Sequence, residues 1–114
     1  MAECIFCKIA NGELDSEILH SDDSAVAFND INPQAPHHVL VIPREHIASV
    51  ADVSRDDESL VGHLCGVAAR LAEQLGFAED GYRLVVNCGA HGGQAVDHLH
   101  VHLLGGRQLT WPPG

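Results

Sequence analysis

Three histidines alternate with aliphatic residues in the stretch His98-Leu99-His100-Val101-His102-Leu103-Leu104. In a β-strand, this period of two predicts that the imidazoles share one face, open to chemistry, while the aliphatic side chains pack on the other. Same-face neighbours lie about 6.5–7 Å apart, so roughly 13 Å separates the first histidine from the third. Because that span is awkward for three ligands of one metal, we expect His98 to serve a different purpose from His100 and His102. A solvated outer face of a strand is the plainer alternative.

A second group of reactive side chains opens the chain, where Cys4 and Cys7 have C-x-x-C spacing. In a reducing compartment, such a pair is usually half of a metal site or a redox pair. Since no strand pattern precedes it, a metal site is favoured over a thioredoxin-type motif. Cys65 and Cys88 lie inside a helical and a strand pattern, so further ligands must come from elsewhere. His46, just after a predicted strand, is placed where a ligand could sit.

The hydrophobic pattern predicts the elements that must position these residues. Strands are expected over residues 17–20, 24–29, 38–43 and 82–87, with the histidine stretch as a fifth. Apolar residues at helical spacing predict one long core helix between the capping signal at Ser54 and the stop at Gly76. His63 lies off that apolar stripe and is expected in solvent. A glycine-rich loop over 88–95, which could turn N–H groups toward an anion, leads into the histidine stretch.

Length and composition restrict the class of protein. A chain of 114 residues with 46% hydrophobic residues is expected to form one domain over residues 1–114. It contains no apolar run approaching the roughly 20 residues of a membrane helix and no signal-like start, so we expect a cytoplasmic protein. The formal charge of −10 disfavours nucleic acids and anionic membranes as partners. A small anionic substrate remains open, because N–H groups and imidazoles can make a locally positive pocket.

Together these motifs resemble the histidine triad (HIT) family, in particular its Hint branch of nucleotide-binding proteins. The histidine stretch matches the family signature, and matches continue over residues 27–31, 33–36, 38–43, 92–94, 105–107 and 111–114. The resemblance implies an α+β fold with an antiparallel sheet of about five strands, one long helix and one or two short helices. It also implies a homodimer that hydrolyses purine nucleoside phosphoramidates such as adenosine 5′-monophosphoramidate, without a cofactor in the chemistry.

The resemblance also assigns roles to individual residues. His100 is similar to the family nucleophile that attacks phosphorus and forms a nucleotidyl-histidine intermediate, which water then hydrolyses. His102 is expected to stabilise a phosphate oxygen, and His38 to orient the network. Asp30 matches an acceptor for the ribose hydroxyls. Other substrate contacts are expected from apolar positions around the base, each with core packing as the alternative, from a phosphate cradle and from the single tryptophan: Phe6, Ile9, Phe28, Ile31 and Leu40; Asn87, Gly93, Gln94 and Ala95; and Trp111.

Some HIT proteins carry a zinc ion, and this sequence is similar to theirs at the four ligand positions, Cys4, Cys7, His46 and His98. Two thiolates and two imidazoles make a closed tetrahedral set, so the implied zinc is structural and has no open position for a substrate. Free cysteines packed against His98 are the alternative.

One position departs from the family pattern. Many Hint-branch proteins have a hydroxyl residue in place of Ala95, thought to help protonate the departing amine. Loss of such a donor can cost roughly 10²–10⁴-fold in rate, so we expect slowed turnover. Two other functions stay open: a nucleotide-binding or scaffolding protein with weak catalysis, and a dinucleoside polyphosphate hydrolase of another HIT branch. The Trp-Pro-Pro-Gly ending and Gly105-Gly106-Arg107 count against the last.

Overall fold

A five-stranded antiparallel sheet carries the histidines. The computed structural model describes residues 4–114. The strands are β1 (Ile18–Ser21), β2 (Ala25–Asn29), β3 (His37–Pro43), β4 (Tyr82–Val85) and β5 (Val101–Gly105), in the spatial order β1-β2-β3-β5-β4. The α+β fold with five strands predicted from the sequence is therefore confirmed, and most strand boundaries differ from the prediction by one or two residues.

Three helices complete the described chain: α1 (Ile5–Ala10), α2 (Glu58–Gln74) and α3 (Gly89–Gly92). The long helix α2 begins four residues after Ser54, because the chain first makes a 3-10 turn over Arg55–Asp57, in which Asp57 N–H donates to Ser54 O at 3.0 Å. The helix α3 lies inside the glycine-rich segment over residues 88–95, which the sequence predicts to be a loop. In the part of the chain that the structure describes, no helix has both the length and the apolar character needed to cross a membrane.

The sheet is covered on both faces, with α2 on one and α1 on the other. Alternate residues of β3 point to the two cores. Val39 and Val41 pack in the larger core with residues of α2, while Leu40 and Ile42 pack in the smaller core with Phe6 of α1. The continuous aliphatic run of β3 thus reflects burial on both faces, as the sequence predicts.

The histidine stretch differs from its prediction, because β5 begins only at Val101. Before that residue the chain leaves the ladder, and Leu99 N–H donates to Ile47 O at 2.7 Å instead. The alternative of a solvated outer face is wrong: His98 is 0% exposed and His100 is 6% exposed. The reason is the short helix α1, which places Phe6 against both rings. The apolar side chains of the stretch do pack in the α2 core, as predicted.

His63 also departs from its prediction. It is half-buried rather than in solvent, and its Nε2 lies 2.7 Å from Oδ2 of Asp22 in the turn between β1 and β2. No local pattern predicts this contact, because the partners are 41 positions apart in the chain.

Candidate active site and metal-binding cluster

His100 has one ring nitrogen committed to the protein backbone. Its Nδ1 lies 2.7 Å from the carbonyl oxygen of His98, which can only accept a hydrogen bond. Nδ1 therefore donates, and a neutral His100 ring has its lone pair on Nε2. The edge-to-face contact with Phe6, at 5.2 Å between ring centroids, fixes the ring plane. This arrangement presents a nitrogen nucleophile of defined tautomer.

A chain of hydrogen bonds fixes the tautomers of His38 and His102 in the same way. The Gln34 backbone N–H donates to Nδ1 of His38 at 3.0 Å, so His38 carries its proton on Nε2. That Nε2 lies 2.9 Å from Nδ1 of His102, which accepts the bond. His102 therefore carries its own proton on Nε2. A backbone amide thus sets the proton positions of two side chains in succession.

The Nε2 of His102 is a buried side-chain polar atom with no hydrogen-bond partner among residues 4–114. Leaving a buried donor unpaired costs about 1–3 kcal/mol. The ring lies beside that of His100, with centroids 5.0 Å apart. An unsatisfied N–H next to a nitrogen lone pair is suited to a ligand that offers an acceptor oxygen and an electrophilic centre together.

Burial keeps His38 and His102 neutral. Desolvation, followed by the charges of His100 and His38, lowers the pKa of His102 to about 4. Burial also lowers the pKa of His38, against a smaller opposing effect of the Asp30 carboxylate. At neutral pH both rings are uncharged, as the hydrogen-bond chain requires.

Asp30 lies at the edge of this group, directly after β2. One carboxylate oxygen, Oδ1, accepts the N–H of Asn32 at 2.9 Å, and Oδ2 lies 3.4 Å from Nε2 of His38. Backbone pairing holds the two residues together, because Asp30 N–H donates to His38 O at 2.9 Å. The structure thus brings Asp30, His38 and His102 to one place.

The apolar residues expected around a base are divided by the fold. Four of them belong to the smaller core or pack against it: Phe6, Ile9, Phe28 and Leu40. The fifth, Ile31, lies at the surface and is 99% exposed. Trp111, the separately predicted substrate contact, also lies at the surface and is 79% exposed. Within one chain, these last two side chains have little to pack against.

The glycine-rich loop is braced by a glutamine. The Nε2 amide of Gln94 donates to the carbonyl oxygens of Ala48 and Val96, at 2.8 and 2.9 Å, and its Oε1 accepts the N–H of Gly89 at 3.0 Å. The backbone N–H groups of Gly93 and Gln94 close the α3 turn on the carbonyls of Ala90 and Gly89, both at 3.1 Å.

Gly93 adopts φ +80°, in the left-handed region that a glycine occupies at least cost. The two remaining cradle candidates are Asn87, which is half-buried, and Ala95, which is exposed.

Two thiols and two imidazoles meet at the start of α1. The Sγ of Cys4 lies 3.3 Å from Nδ1 of His98, and the Sγ of Cys7 lies 3.3 Å from Nδ1 of His46. All four donor atoms lie within 4.8 Å of one another. Burial, followed by the nearby Cys4, raises the pKa of the Cys7 thiol.

His98 is oriented toward these sulfur atoms by the backbone. Its Nε2 lies 2.9 Å from the carbonyl of Pro43 and must donate to it, so the lone pair is on Nδ1 and faces the thiols. This donor set can hold a metal ion. The predicted ligand positions Cys4, Cys7, His46 and His98 are therefore brought together.

Sequence reasoning missed the groups that set the tautomers. They are backbone atoms: the carbonyls of His98 and Pro43 and the amide of Gln34. Every residue supplies a backbone carbonyl, and every residue except proline supplies an N–H, so no residue type in the sequence could have indicated them.

Comparisons with known proteins agree with this geometry. The profile of the HIT domain matches residues 11–109. The purine nucleoside phosphoramidase of Escherichia coli (strain K12) is 54% identical over 107 residues, which cover 94% of this chain and 90% of that protein.

Two solved structures are also similar. A HIT family hydrolase from Legionella pneumophila Philadelphia 1 superposes with a TM-score of 0.95 at 52% identity, covering 98% of this chain and 100% of the other. A Zn-bound histidine triad family protein from Mycobacterium smegmatis superposes with a TM-score of 0.80 at 28% identity, covering 93% and 76%. The chain belongs to the HIT family and is a hydrolase of that family.

Proposed function

We propose that this protein is a purine nucleoside phosphoramidase, which cleaves the P–N bond of adenosine 5′-monophosphoramidate and related compounds. The observation that carries the proposal is the pair of ring nitrogens at the centre of the site. His100 offers a lone pair on Nε2, and the neighbouring His102 offers a buried N–H without a partner. The E. coli relative that carries the name of this activity supports the choice of substrate.

The reaction follows from these two nitrogens. Nε2 of His100 attacks the α-phosphorus, the P–N bond to the amine breaks, and the leaving amine takes up a proton from water. The N–H of His102 donates to a phosphate oxygen as negative charge develops there. Water then attacks the nucleotidyl-histidine, the bond from phosphorus to Nε2 breaks, and the nucleoside monophosphate leaves. Because Nδ1 of His100 keeps its bond to the His98 carbonyl, that carbonyl stabilises the imidazolium of the intermediate.

The remaining residues bind and orient the nucleotide in this proposal. Asp30 accepts hydrogen bonds from the ribose hydroxyls, and His38 holds the tautomer of His102. The base contacts Ile9, which packs against the smaller core, and Ile31 in the loop after β2. Asn87 and the backbone over residues 93–95 contact the phosphate, with the N–H of Ala95 as the donor, because the N–H groups of Gly93 and Gln94 already bond to backbone carbonyls. Ala95 supplies no hydroxyl for the leaving amine.

We also propose that Cys4, Cys7, His46 and His98 hold a structural zinc ion. The support is the donor set itself, with two sulfurs and two lone-pair-bearing Nδ1 atoms within 4.8 Å, together with the Zn-bound relative from M. smegmatis. Bound there, zinc would tie α1 to the segments at His46 and His98, and so would hold Phe6 against the His100 ring. The closed set leaves the ion no coordination position for a substrate.

A homodimer in the cytoplasm completes the proposal. The exposed Trp111 and Ile31 are large apolar side chains that a second copy could cover. A reducing compartment suits the four free cysteines of the chain. Sedimentation equilibrium of the wild-type protein and of Trp111→Ala tests the dimer, which the substitution should weaken.

The decisive experiment compares substrates and looks for the covalent intermediate. Purified protein is assayed on adenosine phosphoramidates and on diadenosine polyphosphates, and quenched samples are examined by mass spectrometry for a nucleotide on His100. A phosphoramidase prefers the former and shows the adduct. Preference for the dinucleotides would identify another HIT branch, and AMP binding without turnover or adduct would identify a nucleotide-binding protein.

A further inference from the structure

A third cluster of ionisable side chains joins α2 to the turn between β1 and β2. Nε2 of His20 lies 2.6 Å from Oδ2 of Asp22, and Nε2 of His63 lies 2.7 Å from the same oxygen. These three residues take no part in the proposed phosphoramidase reaction. They are also separate from the group formed by Cys4, Cys7, His46 and His98, which we call the thiol cluster. Two histidines from separate elements therefore converge on a single carboxylate oxygen.

The carboxylate of Asp22 is held in place by the turn itself. Its other oxygen, Oδ1, accepts the backbone N–H groups of Ser24 and Ala25 at 2.7 and 2.9 Å, which leaves Oδ2 for the histidines. Burial acts to raise the pKa of Asp22, but the hydrogen bonds from His20, Ser24 and His63 outweigh it and lower the pKa well below its usual value. The carboxylate is therefore ionised at any physiological pH.

Arg44 is the nearby cation, and it binds the turn without competing for Oδ2. Its Nε donates to the main-chain carbonyl of Asp22 at 2.7 Å, and its Nη2 donates to Oγ of Ser21 at 2.6 Å. The arginine thus fixes the backbone of the turn and leaves the carboxylate oxygen free to bind a cation.

We propose that His20, Asp22 and His63 form a second metal site, specific for divalent transition cations. The three donor atoms lie within 4.8 Å of one another. Two imidazole nitrogens and one carboxylate oxygen are a ligand set for zinc, cobalt(II), nickel(II) or iron(II) rather than for magnesium or calcium. On binding, each histidine moves its proton from Nε2 to Nδ1 and coordinates through Nε2.

This site differs in kind from the thiol cluster. It has no sulfur ligand, and its side chains are between 26% and 36% exposed, so water can occupy the remaining coordination positions. We therefore expect weaker binding and faster exchange than at a closed Cys₂His₂ site. Without the ion, the two histidines hydrogen-bond to Oδ2 of Asp22 and so connect α2 to the β1–β2 turn. With it, the ion ties α2 to the β1–β2 turn and raises the temperature of unfolding.

Cobalt(II) is the probe that separates the two sites. Thiolate ligands give cobalt intense charge-transfer absorption in the near ultraviolet, whereas imidazole and carboxylate ligands do not. The full-length protein is dialysed against cobalt(II), and bound cobalt is counted per chain. The proposal expects one equivalent that adds no sulfur charge-transfer absorption, whether or not the thiol cluster already holds a metal.

The matched variants are His63→Gln, Asp22→Asn and His91→Gln. The glutamine amide of His63→Gln can still donate a hydrogen bond to Asp22, but it does not coordinate the metal ion. The second keeps an oxygen that can accept the turn N–H groups but loses the charge. Each should lower the affinity for the cobalt ion that binds without sulfur ligands by at least the roughly 10–100-fold that follows loss of an outer-shell partner. The control His91→Gln, which removes an exposed histidine, should leave that affinity unchanged.

Three results would overturn the proposal. The wild-type protein could bind no sulfur-free equivalent, both Asp22→Asn and His63→Gln could keep wild-type affinity, or His91→Gln could weaken binding as much as they do. Circular dichroism establishes that each variant is folded. Should His63→Gln not fold, His20→Gln and Asp22→Asn decide the question.

Discussion

The two histidine groups around Phe6 commit opposite ring nitrogens to the protein. In the candidate active site, Nδ1 of His100 donates to a backbone carbonyl and Nε2 is left available. In the thiol cluster, Nε2 of His98 donates to a backbone carbonyl and Nδ1 faces the sulfurs. One residue belongs to both groups, because the carbonyl of His98 is the acceptor for His100.

This difference shows that residue type alone does not assign a histidine to catalysis or to metal binding. His98 and His100 are both buried, and both rings contact Phe6. What separates them is which ring nitrogen donates to a backbone carbonyl, together with the nearest partner of the other nitrogen: thiols for His98, and a second imidazole with an unpaired N–H for His100. The predictions below test this separation, from the largest expected effect to the smallest.

Substituting His100→Ala should lower kcat/KM on adenosine 5′-monophosphoramidate by roughly 10⁴-fold or more, since it removes the proposed nucleophile of a group that acts as a unit. Metal content and AMP binding should stay close to wild type, because neither depends on Nε2 of His100. The matched control is His91→Ala, which removes an exposed histidine. Substantial turnover by His100→Ala would assign the nucleophile elsewhere.

Removing the proposed zinc ion should lower the stability of the fold far more than it slows catalysis. At a free zinc concentration a thousand times Kd, binding contributes about 4 kcal/mol to the free energy of unfolding. Cys4→Ser combined with Cys7→Ser should lose that contribution in urea titrations, and Cys88→Ser should not. For the folded fraction we expect kcat to fall by at most about tenfold, the low end of the range for outer-shell partners. A larger fall in kcat would show that the two histidine groups act as one functional unit.

Acid should destabilise the fold through His102. Its pKa is about 4 in the folded state against an ordinary 6.5, so the unfolded chain binds more protons between these values. Stability therefore falls as pH drops from 6.5 toward 4, by up to about 3 kcal/mol from this residue. The lowered pKa values of His38 and His98 act in the same direction.

Urea titrations across this pH range should show a flatter profile for His102→Asn than for the wild type, with His91→Asn as the control. Equal slopes in all three proteins would mean that burial does not keep His102 neutral.

The smallest effect is a gain of function at Ala95. Introducing a hydroxyl with Ala95→Ser should raise kcat on a tryptamine or aminoacyl phosphoramidate by up to about 100-fold, the lower bound of the roughly 10²–10⁴-fold that a positioned proton donor contributes. Ala90→Ser places a hydroxyl at another exposed position of the same loop and should leave kcat unchanged. No gain from Ala95→Ser would mean that water protonates the amine efficiently in this site.

Periodicity and motif spacing predicted much of the fold. The period of two in β5 and the helical spacing of α2 are local properties, because burial on one side imposes them residue by residue. The continuous aliphatic run of β3 is also local and reflects burial on both sides. The alternation around His100 also indicated the stretch that carries the proposed active site, and the C-x-x-C spacing indicated the end of the chain that carries the proposed zinc ligands. The family resemblance supplied the pairing of that end with His46 and His98.

Tertiary structure decided what the histidines can do. The sequence could not show that Phe6 would bury the histidine face, that the Gln34 amide would set two tautomers, or that His63 would reach Asp22. Each of these depends on where distant backbone atoms lie once the sheet and helices have packed, and backbone groups are the same in every residue. The sequence determined which side chains are present and on which face they start, whereas packing determined which ring nitrogen each histidine keeps free.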